Sequence, residues 1–373
     1  MERFDALVVG AGPAGSSTAI HLARAGARVI LVDRATFPRD KPCGGGLTGR
    51  ALARIPVDPS PVVERDVDRF LLRVGYGASF ARTHDRPLIR MTQRIRLDAF
   101  LVEAAIAAGA ELREGTKVTQ LVAHELGVTA RVGRDIVHAD VLVGADGANG
   151  IVARALGLGE KIVHGVALEA NVPLEALGVR ELERTAAIEL GVVPGGYGWV
   201  FPKGDHANLG VGGWGSEGPW LRDHLARLAQ VFGVAPGALS ALKGHRLPMR
   251  RLGAPAASGR ALLVGDAAGL VDPLSGDGMY EAFVSARLAA DAILGGDLAG
   301  YEPALADALD RHAAASWAAK RALDRHPRLV FAAARAPGVF GVVAGLLGGE
   351  VAHPAEARGA ARPALRLIAR LAR

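Results

Sequence analysis

Residues 5–15 read DALVVGAGPAG, and the fold is decided here. The apolar run 5–10 ends on a glycine, as a buried strand does. Residues 13–25 place Ala14, Ala19, Leu22 and Ala23 on one side, the spacing of a helix. Residues 28–33, RVILVD, form a second apolar run and a second expected strand. Together they make a βαβ unit with G-x-G-x-x-G at its first turn. Gly10 permits the turn, Gly12 lets the backbone approach a pyrophosphate, and Gly15 lets the helix sit close to the strand. The start of the helix, Pro13 and Ala14, offers free N–H groups and partial positive charge to an anion. Asp33 closes the second strand, where a carboxylate accepts hydrogen bonds from an adenosine ribose, and Arg34 follows it.

This grip serves NAD and FAD alike, and two later segments choose between them. Residues 139–145 (ADVLVGA) form a strand running into Asp146, and residues 261–265 (ALLVG) form another running into Asp266. An aspartate just past such a strand can accept hydrogen bonds from a ribityl chain. Residues 273–278 (PLSGDG) then open an apolar-periodic helix carrying Met279, Ala282, Phe283, Ala286, Ala290 and Ile293. Flanked by Gly276 and Gly278, its positive end can face the pyrimidine edge of a flavin. An NAD site needs neither Asp266 nor this second helix start. The cofactor expected is therefore FAD, held through Gly10, Gly12, Pro13, Ala14, Gly15, Asp33, Arg34, Asp146, Gly265, Asp266, Gly276 and Gly278.

The middle of the chain reads as β-rich, in runs 163–172, 185–193, 197–202 and 206–213 divided by Gly and Pro. Tyr197, Trp199 and Phe201 fall at period two, so they project to one face of a strand. In a chain with only four Trp and four Tyr, this concentration suggests an apolar wall. Cys43 stands in a loop before Gly44, Gly45 and Gly46, which can approach another surface closely.

The pattern resembles the geranylgeranyl reductase family, within the FAD-dependent oxidoreductases of the p-hydroxybenzoate hydroxylase fold. The matching parts are the N-terminal grip, KPCGGGL (41–47), Arg94 with Leu97, Asp98 and Leu101, Asp146-Gly147, PGGYGWVFP (194–202) and the stretch from Gly265-Asp266 to Gly278. They span about residues 5–293; residues beyond carry no motif. The resemblance implies an α/β fold. A Rossmann-like FAD-binding domain of glutathione-reductase type (1–70, 92–160 and 246–300) is interleaved with a β-sheet substrate domain (71–91 and 161–245). A helical C-terminal region (301–373) follows. It adds Arg94, Cys43, Gly44 and Gly45 to the FAD contacts and puts Tyr197, Trp199 and Phe201 on a prenyl pocket. The implied chemistry is hydride transfer from reduced FAD to an isolated alkene of a prenyl lipid or prenyl diphosphate, with a proton added to the other carbon. Cys43, Tyr197 and Tyr280 are the candidate proton donors, beside a bound water. The chain shows no second nucleotide domain, so the expected electron donor is a transient NAD(P)H or a reduced carrier such as ferredoxin.

Composition narrows the alternatives. Half of the residues are hydrophobic, enough for a sizeable core. One cysteine excludes an intrachain disulfide and suits a reducing, cytoplasmic setting. Glycines interrupt the N-terminal apolar stretch, so no export signal is expected. No histidine stands in metal-ligand spacing; His206 and His245 read as surface or structural. The net charge of +6 concentrates at the end. Arg328, Arg335, Arg358, Arg362, Arg366, Arg370 and Arg373 face only Glu350 and Glu356 after residue 327. Residues 362–373 place Leu365, Ile368 and Leu371 among arginines, the pattern of a basic amphipathic helix. Two readings fit it: peripheral contact with the inner face of a membrane, or a solvated cap. Few aromatics and no nucleic-acid motif argue against nucleic acid as a partner. The competing functions are an aromatic monooxygenase, a flavin halogenase and a non-catalytic prenyl carrier.

Overall fold

The computed structural model describes residues 3–159, 162–177, 180–235, 237–356 and 358–372. Arg373 and the expected boundary at 160/161 lie outside these residues. The first strand, Arg3–Val9, sits inside an eight-stranded sheet. It pairs in parallel with Val29–Val32 on one side and Asp135–Gly144 on the other. Glu111–Arg113 extends the sheet at one end, and Ala261–Leu263 with Ala257–Ser258 at the other. A strand buried on both faces needs apolar residues at every position, not alternate ones. Ala6, Leu7, Val8, Ile30 and Leu31 meet that need and are fully buried. An antiparallel arm, Val118–His124 with Gly127–Val132, pairs onto Asp135–Gly144 and carries no cofactor motif.

The helix Pro13–Arg24 packs against both Arg94–Ala107 and Met279–Leu294. Its start lies so close to the first strand that a Cβ on Gly15 would stand 1.8 Å from the Gly10 carbonyl oxygen.

A second sheet of seven strands runs in the order Ser240–Met249, Val163–Pro173, His206–Trp214, Tyr197–Pro202, Thr185–Leu190, Arg69–Val74, Ser79–Thr83. Its pairs are antiparallel except for Thr185–Leu190 with Arg69–Val74. Strand Ser240–Met249 runs across the expected boundary at 245/246. Period-two alternation gives this sheet two different faces. Val200, Leu209 and Val211 pack under the helix Leu221–Val231 through Leu221, Leu225 and Leu228. Tyr197, Trp199, Phe201 and Ile188 project from the other face, toward the first sheet. A small sheet of Gly46–Thr48, Ile89–Met91 and Arg65–Val67 lies where the chain crosses between the two.

The C-terminal region is helical: Tyr301–Arg325, Pro327–Ala334, Val339–Gly348 and Ala361–Leu371. The Tyr301 hydroxyl is fully buried and donates to the Leu263 carbonyl at 2.7 Å, tying the first of these helices to the first sheet. Among the described residues no single helix is long and apolar enough to cross a membrane. Pro327–Ala334 and Val339–Gly348 reach that length only together, and they meet at 90°.

Gly15→Ala should destabilise the protein by about 1–3 kcal/mol, because a methyl group has no room against the Gly10 carbonyl. Denaturant unfolding checks this. An unchanged midpoint would show that the helix is not held by this contact.

Candidate functional site

One cavity of about 1650 Å³ runs from the first turn, beneath the seven-stranded sheet, to the C-terminal helices. A pocket for one drug-sized ligand measures roughly 300–1,000 Å³. The space accommodates a cofactor and a substrate together.

At one end Asp33 accepts from the Ala11 and Ala35 N–H groups, at 2.7 and 2.9 Å. Each of its oxygens keeps a second lone pair for a ribose. Arg34 lines the cavity beside it. Gly12 faces two guanidinium groups: a Cβ there would stand 3.4 Å from Arg39 Nη2 and 3.8 Å from Arg94 Nη2. Arg94 makes a bidentate pair with the fully buried Asp98, at 2.6 and 2.8 Å, and Arg39 reaches the same carboxylate at 3.1 Å. Two cations thus share one anion beside a helix N-terminus, which leaves net positive charge where a pyrophosphate fits. The residues present therefore suit a dinucleotide. Gly10, Gly12, Pro13 and Ala14 line the cavity, whereas Gly15 and Gly265 lie behind its wall and act through packing.

Further along, Asp266 pairs with Lys41 at 3.1 Å, and His245 Nε2 stands 3.6 Å from the same oxygen. Burial would raise this carboxyl. Lys41 and His245 together outweigh burial and hold it well below the usual carboxylate range. His245 therefore belongs to the site, contrary to its reading as surface or structural. Asp146 differs from Asp266. Its Oδ2 accepts from the Ile151 and Val152 N–H groups, at 2.6 and 3.0 Å, at the start of the short helix Val152–Ala155. Only its buried Oδ1 lacks a partner. Gly276 and Gly278 line the cavity. The positive end of the helix Met279–Leu294 is not bare, however, because Asp277 accepts from the Met279 N–H at 2.9 Å. Burial pushes the Asp277 carboxyl up, and Arg50 opposes the shift.

Cys43, Gly44 and Gly45 form the opposite lip of the cavity. The Cys43 N–H donates to Glu169 at 2.8 Å, and the Gly45 N–H points at Cys43 Sγ at 3.3 Å. The buried Lys203 donates to the Gly44 and Thr92 carbonyls beneath the loop. Burial pulls this ammonium down to about 8. Phe201 faces Gly44. Trp199 and Tyr197 continue the wall at 6.3 and 6.0 Å ring spacings. Trp199 Nε1 donates to Asn208 at 2.8 Å, so its ring presents no free polar group to the cavity.

Two expected proton donors change standing. Tyr280 does not line the cavity. Met279 and Ala282 take that side of the helix, and the Tyr280 ring lies 4.6 Å under the Arg50 guanidinium. Tyr197 does line it, but its hydroxyl donates to the Ser275 carbonyl. Burial, then the charges of Asp277 and Asp272, raise its pKa and make it a poorer acid. The tail helix also differs from expectation. Leu365 and Ile368 line the cavity with Val342, Leu346 and Leu347, not an outer surface. Arg39, Lys41, Glu169, Lys203, His245 and Lys320 are members of the site or its supports that sequence reasoning did not assign. Lys41 alone carried a signal, standing within the 41–47 motif.

Asp266→Ala should weaken FAD binding by about 1–3 kcal/mol, since it removes acceptors at a buried charged site. That is a loss of roughly fivefold to 150-fold in affinity. Titration of the apoprotein with FAD measures it; undiminished affinity would remove Asp266 from the cofactor contacts.

The FAD binding domain family matches residues 81–293, and the FAD dependent oxidoreductase family matches residues 5–156. The chain is 34% identical to a menaquinone reductase of Mycolicibacterium smegmatis, over 86% of this chain and 84% of that protein. It is 32% identical to a geranylgeranyl diphosphate reductase of Rhodobacter capsulatus, over 78% and 75% of the two chains. A solved geranylgeranyl bacteriochlorophyll reductase-like protein from Thermoplasma acidophilum overlays with a TM-score of 0.78 at 26% identity, covering 87% of this chain and 88% of that one. Solved flavin-dependent halogenases share the fold at 17–22% identity, which speaks for the fold alone. With the two-sheet architecture and the grip in place, this chain belongs to the geranylgeranyl reductase family of FAD-dependent oxidoreductases.

Proposed function

We propose that this protein saturates carbon–carbon double bonds in an isoprenoid chain. The observation that carries the reading is the continuity of the cavity. One space joins the dinucleotide grip to a wall of Tyr197, Trp199, Phe201 and Ile188, then to Val342, Leu346, Leu365 and Ile368. A hydrocarbon offers no hydrogen bonds, so shape and burial must hold it. When bound and reduced, FAD supplies a hydride at its N5. The protein's part is to align the alkene, exclude water and supply a proton. Of the donors weighed from sequence, Cys43 is best placed: it lines the cavity on a loop fixed by Glu169 and Lys203.

Anaerobic turnover with prenyl diphosphates and prenyl quinones tests the proposal. A product heavier by two hydrogens supports it; a product heavier by one oxygen, formed only in air, would establish a monooxygenase instead. Trp199→Ala should raise KM with FAD content retained, since losing that buried face is worth about 2–3 kcal/mol. Loss of FAD with unchanged KM would make Trp199 a core residue.

Peripheral contact with an anionic membrane is part of the same proposal, through a different surface from the one expected. Leu329 and Leu367 are 49% and 44% exposed on two C-terminal helices, and Arg328 and Arg335 are exposed on or at the end of the first of these. Basic residues near such a surface contribute about 1 kcal/mol each, and salt weakens them. Sedimentation with anionic vesicles at low salt should fall when Leu329 and Leu367 become Asp. Equal sedimentation of variant and parent would rule this surface out. Electrons would reach FAD from NAD(P)H or a reduced carrier on the cytoplasmic side.

A further inference from the structure

Gly195 lies just before the aromatic strand Tyr197–Pro202, in a region where the chain turns. Both of its backbone groups are held by one helix. Its N–H donates to Asp324 Oδ1 at 2.6 Å, and its carbonyl accepts from Lys320 Nζ. Lys320 and Asp324 stand one turn apart on the helix Tyr301–Arg325, so they face the same way. They also hold the end of the neighbouring strand. Trp214, the last residue of His206–Trp214, donates from Nε1 to Asp324 Oδ2 at 3.0 Å. Its ring centroid lies 4.4 Å from the Lys320 ammonium. Nothing larger than glycine fits at 195: a Cβ would stand 2.3 Å from Trp214 Nε1.

The same helix is fixed to the rest of the molecule at other points. Tyr301 bonds to Leu263 in the first sheet. Asp310 pairs with the buried Arg250 at 2.7 Å. Trp317 stacks on Trp214, 13° from parallel, and donates to the Arg250 carbonyl at 2.7 Å. The helix is therefore a strut between the sheet that grips the cofactor and the sheet that carries the aromatic wall.

We infer that Lys320 and Asp324 clamp Gly195 and so hold Tyr197 and Trp199 in the cavity wall, making the C-terminal helix part of the apparatus that binds the substrate chain. Lys320 is 4% exposed and lines the cavity, as Ser316 and Tyr197 do. An ammonium in such a place must recover its lost hydration from fixed partners. Burial lowers its pKa to about 8, while Asp324 and Asp272 act to raise it. The Gly195 carbonyl and the Trp214 ring are its direct partners. These are positioning residues, acting on the substrate through the strand they hold.

The inference rests on the reductase reading, and wild-type turnover in the same anaerobic assay separates the two. Failure of the wild type to saturate any prenyl substrate defeats that reading. An active wild type with unaltered variants defeats the clamp alone. Lys320→Met should raise KM about tenfold, equivalent to ~1.4 kcal/mol, with kcat and FAD content close to the parent. Lys320→Gln keeps a donor for the Gly195 carbonyl without the charge, and its KM should return to within about threefold of the parent. A Gln variant as impaired as the Met variant would overturn the clamp in favour of a role for the charge itself. Unshifted KM in both would overturn it as well. Should Lys320→Met fail to fold, Asp324→Leu, which removes both acceptors, gives the same decision: a raised KM in the folded, FAD-loaded variant supports the clamp, and an unchanged KM overturns it.

Discussion

The contact between Gly15 and the Gly10 carbonyl sets where every other part of the site stands. It brings the first helix against the first strand, so the helix N-terminus opens directly over the ends of the parallel strands. Ligands of open parallel sheets bind at that edge. Asp33, Asp146 and Asp266 stand there because each follows a strand of the same sheet. The charge balance agrees with the geometry. Arg39 and Arg94 share the single carboxylate of Asp98, so the turn faces net positive charge suited to phosphates.

From that fixed point the second sheet acts as a roof with two unlike faces. One face is ordinary core beneath the helix Leu221–Val231. The other presents aromatic and aliphatic side chains to the cavity, and three polar side chains beside that aromatic wall are bonded within it. Trp199 donates to Asn208, Lys203 to two backbone carbonyls, and Glu169 accepts from Cys43. A buried polar group without a partner would cost more than the hydrophobic contact around it returns. Satisfying these groups inside the wall leaves an apolar surface for a hydrocarbon and little to hold water. The C-terminal helices then close the space from the side.

The parts legible in the sequence were those whose physics is local. The grip of residues 5–33 is a strand, a turn and a helix in direct succession. The aromatic strand shows its facing through period two. FAD followed from Asp266 and the helix start after Gly278. What stayed hidden depended on contacts between distant residues. Lys41 meets Asp266 across 225 positions, and Lys203 meets Gly44 across 159. His245 looked structural because nothing nearby in sequence places it beside Asp266. Tyr280 reads as a candidate proton donor from sequence, where nothing local shows its facing; its neighbours Met279 and Ala282 reach the cavity, but one step around the helix puts its ring under Arg50 instead. The tail pattern of Leu365 and Ile368 identified an amphipathic helix, but amphipathicity does not say what covers the apolar face. Here that face lines the cavity.

The central claim is that the cavity presents a prenyl alkene to bound, reduced FAD. Anaerobic mixing of the reduced holoenzyme with a prenyl substrate, followed by flavin absorbance, tests it most directly. The account predicts that the oxidised spectrum returns without oxygen, in proportion to the substrate added, and that the return slows in Trp199→Ala. A reduced spectrum that persists with every prenyl compound, and is lost only when air is admitted, would contradict it.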